Sequence, residues 1–565
     1  MSTPHESPAG KTPRAFLIVV SLLALAVSTT PYVVGYFSVK GGMYLWAGTS
    51  PSDFAVYLAW MRTASHGGFR DLHLFAGGHA GMLINPVYWF LGAVSGLTRL
   101  PCFIVYHIGR IGFGAGLLYV LWRLVRAATS DPLTRRLAFL FLCFSSGFGW
   151  FLGFLTPYPS IDRWQPEAFT LLSLYTYPHF CAAIALQVCF LGLMIKSDLT
   201  GQAKYAALAG LCLGLLAIEH TYDAITVVAI RLAYMALSPA AWRAGGWKVS
   251  LRNHLPAGLC SLPGVLYIGY VWHADKVFAV RNNVMLSMPL PSVLIGYGGV
   301  LLLAIVGAYV VLREDSVPCN PGTNAPMGRL LVVWSVVNIA VSYIPVAFQR
   351  KLIQGEHVAL SILAAVGAAC LLRRAFPRWT WDRVRFPEIA LALFLAIGSM
   401  VYLYRDTGVI TQTASVHTLF RSTLTDGEAK ALDWVDNHTA RSDVIQPIPW
   451  RLRMTGRGIR VADMTLGLFV PGITGRPVYC AHWAETPDLT KRLDDVRRII
   501  DPSTPDAERL QLLRMSKIAY LIVSPTQDPS STAALAATSA EDGGRQMREV
   551  YANVDVAIYQ VLARP

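Results

Sequence analysis

Long apolar stretches alternate with short polar ones over the first 404 residues of the chain. A helix that crosses a bilayer needs about 20 mostly apolar residues, and this pattern predicts a polytopic α-helical membrane protein with about 11 spans. We place the spans at roughly 15–37, 101–122, 137–158, 172–195, 204–219, 221–238, 255–273, 291–312, 329–347, 357–373 and 386–404. The stretch 83–97 is apolar but broken by Asn85 and Pro86, so we predict a juxtamembrane helix there.

The loops between the predicted spans differ in charge. Residues 1–404 contain 29 Lys and Arg, of which 18 lie in the loops of one side and 9 in those of the other. Because basic loops stay on the cytoplasmic side, we expect a multi-pass protein of the cytoplasmic (plasma) membrane with a cytoplasmic N-terminus. A hydrophobic fraction of 54% and a mean hydropathy of +0.44 agree with a membrane protein.

The net charge of +14 does not indicate a nucleic-acid partner. Residues 405–565 contain 19 basic and 19 acidic side chains, so the whole excess belongs to residues 1–404. A basic excess confined to the membrane part is typical of insertion topology and contact with anionic membrane lipids.

Two polar pieces remain outside the predicted spans. The first outer loop, 38–100, contains a predicted helix from Pro51 to Ser65, with Ser50 as its cap and proline at its first position. The second piece, 405–565, alternates helices and strands and predicts a soluble extracytoplasmic α/β domain. Its predicted helices are 425–438, 488–500 and 506–515, and its predicted strands are 443–447, 466–470, 518–523 and 550–561. We therefore divide the chain into a membrane domain, 1–404, and an outer domain, 405–565.

Asp53 is the first candidate for chemistry, because it follows the first span near the predicted outer surface. A lone carboxylate there could act as a general base. The alternative is that Asp53 is the acid of a helix cap, which contributes about 1 kcal/mol to helix stability.

The segment Phe348–His357 is the second candidate, because Arg350 and Lys351 lie on the side that is poor in basic residues. Arginine binds phosphate oxygens in pairs and lysine adds a point charge, so the segment could hold a phosphate. The alternative is contact of both side chains with lipid headgroups.

Other polar residues of the membrane part could line a substrate cavity, because ionisable groups at membrane depth are costly and usually functional. For the turn at 219–223 the alternative is a solvated loop, and a single histidine is often only structural. The cavity candidates are Arg110, His179, Glu219, His220, Asp223, Glu356 and His357.

The outer domain has one segment, 471–487, that is rich in glycine, proline, aromatic and polar residues. Loops of this kind often bind ligands on a rigid scaffold, although a plain connector between a strand and a helix has the same composition. Its candidate residues are Arg476, His482, Trp483 and Glu485.

These features together resemble the GT-C superfamily of integral membrane glycosyltransferases, and most closely its protein mannosyltransferase and aminoarabinose transferase groups. The resemblance is carried by Ser52-Asp53 in the first outer loop, by Asn85-Pro86-Val87-Tyr88, by Phe348–His357 and by the C-terminal outer domain. It implies transfer of a sugar from a polyprenyl phosphate to a glycan, lipid or protein acceptor, with inversion. It further implies that Asp53 is the catalytic base and that Arg350 and Lys351 bind the donor phosphate.

One departure from the family affects the expected chemistry. Many members have two adjacent acids in the first loop, whereas Pro51 and Ser52 precede Asp53 here and Phe54 and Ala55 follow it. We therefore expect metal-independent chemistry and predict no cofactor. The competing classes are a transporter or flippase of lipid-linked cargo and a non-enzymatic scaffold, neither of which would consume a donor lipid.

Overall fold

Helices dominate the computed structural model of this chain, and the chain divides into two units. The helical unit comprises residues 1–30, 108–269 and 283–405, and the mixed unit comprises 31–107, 270–282 and 406–565. The predicted boundary after residue 404 stays a prediction. The structure describes residues 14–48, 50–70, 72–237, 246–275, 277, 284–313, 322–378, 386–412, 421–449, 453–455, 458–460, 463–526, 528–541 and 546–562.

Apolar sequence builds the helical unit. Its helices, some of which continue beyond it, are Arg14–Ser38, Cys102–Ala128, Pro132–Phe144, Gly149–Leu152, Thr170–Thr176, Pro178–Thr200, Ala203–Glu219, Thr221–Leu237, Gly246–Ala274, Leu290–Leu312, Ala325–Val341, Glu356–Ala375 and Phe386–Gln412. Short 3₁₀ turns connect some of them at Gly153–Leu155, Ile161–Arg163, Pro166–Ala168 and Gln349–Ile353.

Seven of the described helices are long and apolar enough to cross a membrane. The number becomes eight if Pro132–Phe144 and Gly149–Leu155, which meet at 49°, form one broken span. Leu22, Leu266 and Leu302 are each more than 60% exposed, as expected of side chains that face lipid. The chain is thus a multi-pass membrane protein, but helix lengths do not confirm the predicted eleven spans.

The mixed unit combines short helices with small sheets. Its helices are Pro51–Ser65, Pro86–Thr98, Asp426–His438, Thr465–Thr474, Leu489–Ile500, Asp506–Ser516 and Pro529–Glu541, with a 3₁₀ turn at Leu74–Ala76. Its strands are Met43–Tyr44, Leu72–His73, His79–Ala80, Thr423–Leu424, Val444–Pro447, Arg453–Thr455, Gly458–Arg460, Ile518–Val523, Met547–Ala552 and Ala557–Val561.

The largest sheet in the described part of the mixed unit has four strands, in the order Val444–Pro447, Ile518–Val523, Ala557–Val561 and Met547–Ala552. The first two strands are parallel and the other pairs are antiparallel. All six residues of Ile518–Val523 are buried, because a central strand is covered on both faces. The predicted small α/β region is therefore present at the C-terminal end.

Two predicted strands are wrong. Residues 466–470 belong to the helix Thr465–Thr474, because a short apolar run does not by itself distinguish a strand from a buried helix. The predicted strand 550–561 is a hairpin of two strands, Met547–Ala552 and Ala557–Val561. The side-chain oxygen of Asn553 accepts the N–H groups of Asp555 and Val556, both at 2.8 Å, and this local turn reverses the chain.

Candidate functional site

Asp53 lies in the first turn of the helix Pro51–Ser65, in the mixed unit. The predicted serine cap does not form, because Ser50 makes no side-chain hydrogen bond to the helix backbone. Its hydroxyl instead donates to Asp53 Oδ2 at 3.0 Å. The next residue, Phe54, is buried against Tyr106, whereas 37% of the Asp53 side chain is exposed. The carboxylate is thus oriented by a neighbour and still accessible.

His482 approaches the other oxygen of this carboxylate. Its Nε2 lies 3.7 Å from Asp53 Oδ1, and its side chain is only 2% exposed. Its Nδ1 accepts the backbone N–H groups of Ala484 and Glu485, both at 3.0 Å. Of the four candidates in the segment 471–487, His482 is the one with a described contact to Asp53.

The remaining candidates of that segment have other surroundings. Arg476 is buried and donates to the side chain and backbone oxygen of Asp436 and to the backbone oxygen of Thr439. These groups end the helix Asp426–His438, so Arg476 stabilises a helix C-terminus. Trp483 is half exposed and Glu485 is partly exposed, both next to His482.

In the helical unit, Arg350 and Lys351 lie in the 3₁₀ turn Gln349–Ile353. The Nε of Arg350 is 3.3 Å from Glu167 Oε1, and its guanidinium lies 5.0 Å from the ring centre of Trp164. The ammonium of Lys351 lies 5.8 Å from the ring centre of Phe180. Among the described residues no carboxylate oxygen lies within ion-pair distance of the Lys351 ammonium, although the buried Asp223 carboxylate is near enough to interact with it electrostatically.

Three cavity candidates of the helical unit come together. His220 Nδ1 lies 3.0 Å from Asp223 Oδ1, and the ring centres of His179 and His220 are 6.0 Å apart. Gln354 donates to Asp223 Oδ2 at 2.9 Å, whereas Oδ1 of that buried carboxylate has the ion-pair contact with His220 and no hydrogen bond among the described residues. The helices Ala203–Glu219 and Thr221–Leu237 meet in the predicted tight turn, and Glu219 is buried at the end of the first.

Glu356 and His357 begin the helix Glu356–Ala375, and both are buried. Neither oxygen of Glu356 has a hydrogen-bond partner within the described part of the chain. The imidazole of His357 contacts the hydroxyls of Ser145 at 3.1 Å and Thr170 at 3.0 Å. This saturated arrangement is that of a structural histidine.

Arg110 is fully buried in the helix Cys102–Ala128. It donates to the backbone oxygen of Leu174 at 2.7 Å and to the hydroxyl of Thr29 at 2.9 Å. Neighbouring helices therefore provide polar partners for this charge at membrane depth, as such a charge requires.

The sequence argument missed the polar residues of the segment 160–167. Glu167, Trp164 and Gln165 contact Arg350; Gln165 does so by donating to its backbone oxygen at 3.0 Å. Asp162 is buried and accepts the Gly149 N–H at 2.9 Å, and this burial raises its pKa to about 6. The sequence did contain a signal for these residues, because Asp162 and Glu167 are acids in a short loop between two predicted apolar spans.

Among the described residues, no group of three or more His, Cys, Asp or Glu side chains is arranged to hold a metal ion. The described polar contacts of Asp53 are a serine hydroxyl and an imidazole nitrogen.

Comparison with solved structures bears on the fold. The chain aligns with the oligosaccharyltransferase AglB of Archaeoglobus fulgidus in complex with an inhibitory peptide and a dolichol-phosphate, with TM-score 0.50 and 10% identity, over 92% of this chain and 71% of that one. It aligns with the apo form of the Archaeoglobus fulgidus oligosaccharyltransferase with TM-score 0.51 and 11% identity, over 93% and 71%.

A third similar structure is ArnT from Cupriavidus metallidurans bound to undecaprenyl phosphate, with 14% identity over 97% of this chain and 98% of that one. The TM-score of this alignment is 0.47. No protein-family model matches the chain, and no curated protein matches it in sequence. The first two alignments show that the chain shares the fold of the Archaeoglobus fulgidus oligosaccharyltransferase, which agrees with the expected resemblance to GT-C membrane glycosyltransferases.

Proposed function

We propose that this protein is a membrane glycosyltransferase that moves a sugar from a polyprenyl-phosphate donor to a hydroxyl of an acceptor. The acceptor is a glycan, a lipid or a protein, and transfer inverts the configuration of the sugar's anomeric carbon. We place the reaction at the outer face of the cytoplasmic membrane, with the N-terminus inside and residues 405–565 outside. The fold of the chain and its polar side chains support this proposal.

The observation that carries the proposal is the setting of Asp53. A partly exposed carboxylate receives the Ser50 hydroxyl on one oxygen and faces the His482 imidazole on the other. A general base needs this combination of fixed orientation and access, because the acceptor proton must be within reach when the hydroxyl attacks. We assign Asp53 to that role.

Arg350 and Lys351 are the proposed ligands of the donor phosphate. The polyprenyl phosphate is the leaving group, so positive charge near it stabilises the transition state. Lys351 suits this role because no described carboxylate forms a direct ion pair with it, and the Arg350 side chain is 25% exposed beside Glu167. In the proposed step, the acceptor oxygen bonds to the anomeric carbon as the bond to phosphate breaks. The hydroxyl proton passes to Asp53.

Donor turnover tests this proposal. Purified wild type and Asp53→Asn would be incubated with a panel of polyprenyl-phosphate sugars and an acceptor extract, and released polyprenyl phosphate would be followed by mass spectrometry. We expect release by wild type and a fall of at least about 100-fold in Asp53→Asn, because general base catalysis contributes about 10²–10⁴-fold.

Asp433→Asn is the matched control, because Asp433 is an exposed acid on the helix Asp426–His438. It should turn over donor like wild type. A transporter or scaffold would release no polyprenyl phosphate in any variant, so failure of the folded wild type to release it from every donor would refute the transferase proposal. Equal rates in wild type and Asp53→Asn would refute the role of Asp53.

A further inference from the structure

The hydrogen bonds of His482 identify which ring nitrogen carries its proton. A neutral imidazole has one N–H donor and one acceptor nitrogen. The backbone N–H groups of Ala484 and Glu485 both point at Nδ1 from 3.0 Å, so Nδ1 is the acceptor. The ring proton of the neutral histidine is therefore on Nε2, the nitrogen that faces Asp53.

The backbone around His482 is held as firmly as its ring. Thr486 Oγ1 accepts the N–H groups of Ala481 at 3.3 Å and His482 at 3.2 Å, and it donates to the backbone oxygen of Phe75 at 2.8 Å. Thr486 N–H in turn donates to the His482 backbone oxygen at 3.0 Å. The segment 481–486 is thus a closed turn that presents Nε2 in one direction.

The Nε2–H group is buried, and within the described residues it has no hydrogen-bond partner within 3.5 Å. A buried donor without a partner is destabilising, because it has lost its hydrogen bonds to water. Asp53 Oδ1, at 3.7 Å, needs to approach by less than about 1 Å to reach hydrogen-bond distance. Catalytic hydrogen bonds are often long without substrate and shorten in the substrate complex.

We propose that His482 is a positioning residue for Asp53, whose neutral Nε2–H donates to Oδ1 and aims the carboxylate at the acceptor hydroxyl. This inference rests on the proposed function and extends it. His482 itself takes up no proton. The acceptor proton goes to Asp53, and the imidazole keeps its proton on Nε2 throughout.

Two conservative variants separate positioning from simple folding of the turn. In His482→Asn the amide oxygen occupies the position of Nδ1, so the acceptor for Ala484 and Glu485 is kept while the donor to Asp53 is lost. In His482→Gln the amide N–H₂ reaches the position of Nε2, so the donor is kept while the acceptor is lost. A structural histidine would need the acceptor, and a positioning histidine needs the donor.

The experiment measures kcat, the donor KM and the unfolding temperature of the full-length protein in detergent. We expect His482→Asn to unfold near the wild-type temperature but to lose about 10- to 100-fold in kcat, since a misplaced catalytic group costs on this order. The donor KM should stay within about 3-fold, because kcat alone reports an interaction made in the transition state. His482→Gln should unfold at a lower temperature and keep most of its kcat.

His438→Ala is the control, because His438 is an exposed histidine of the same unit and should leave kcat unchanged. The inference is overturned if His482→Asn retains wild-type kcat, or if kcat follows the unfolding temperature through both variants. Failure of the proposed function would look different, because the wild type itself would then release no polyprenyl phosphate.

Discussion

Arg350 and Lys351 are adjacent in sequence, yet the structure predicts that their replacement by methionine has different consequences. Arg350 pairs with Glu167, which is only 3% exposed, whereas no described carboxylate pairs with Lys351. Arg350→Met should therefore lower the free energy of unfolding, and Lys351→Met should mainly weaken donor binding. Methionine preserves much of the length of both side chains, so packing changes are small.

The size of the stability effect follows from burial. Breaking a fully buried ion pair by removing one partner costs about 3–5 kcal/mol, because the other charge is left uncompensated. Arg350 is 25% exposed and its Nε–Oε1 distance is 3.3 Å, so the pair is weaker than a fully buried one. We expect Arg350→Met to lose about 2 kcal/mol. The double variant Arg350→Met/Glu167→Gln should recover much of that loss, because the orphaned charge is gone.

Lys351→Met breaks no ion pair and should lose less than about 1 kcal/mol, the size of its contact with the Phe180 ring. A hydrogen bond from a charged group contributes about 1.5–3 kcal/mol. Since 1.4 kcal/mol is a factor of ten in affinity, the donor Kd should rise by about 10- to 100-fold.

Two assays test these predictions, one for stability and one for phosphate binding. Denaturant unfolding in detergent gives the free energies of the two single variants, the Glu167→Gln variant and the double variant, and the resulting cycle isolates the pair interaction. Inhibition of turnover by added polyprenyl phosphate gives the affinity for Lys351→Met. Wild-type stability in Arg350→Met would contradict the buried-pair argument. Wild-type affinity in Lys351→Met would contradict its assignment as a phosphate ligand.

Two further stability effects follow from the described contacts. Burial raises the pKa of Asp162 from 3.8 to about 6, so the folded protein binds this proton more tightly than the unfolded chain. Stability from this group is present at low pH and is lost as pH rises from about 4 to 6, by about 3 kcal/mol at 1.4 kcal/mol per unit. Unfolding midpoints from pH 4 to 7.5 should therefore fall less steeply in Asp162→Asn, and identical slopes would contradict this. Arg476→Met removes the donors to Asp436 and Thr439 and should lower the free energy of unfolding by about 2–3 kcal/mol, as measured by denaturant unfolding. A loss below about 0.5 kcal/mol, which is typical of surface substitutions, would show that these hydrogen bonds contribute little to stability.

The local sequence was sufficient to predict an element wherever the contacts that stabilise that element lie within a few residues of one another. The helix Pro51–Ser65 has the predicted bounds, and Thr425 forms a capping box with Glu428 at the head of Asp426–His438. The hairpin between Ala203–Glu219 and Thr221–Leu237 was also predictable, since an apolar pattern interrupted by polar residues marks a turn. In each case the deciding interactions lie within a few residues.

Tertiary structure decided the rest, because the deciding partners are distant in sequence. The run 466–470 is helical where it packs against Pro51–Ser65, and a Cβ on Gly472 would lie 2.9 Å from the Leu58 Cβ. The same holds for the site: no pattern in the sequence pairs Glu167 with Arg350 or brings His482 toward Asp53. Apolar periodicity and helix caps indicate how a residue stabilises its own helix or strand. The contact of a side chain with a residue distant in sequence depends instead on how the helices and strands pack. The sequence therefore determined the membrane class and the candidate residues, and the packing determined which of them share a site.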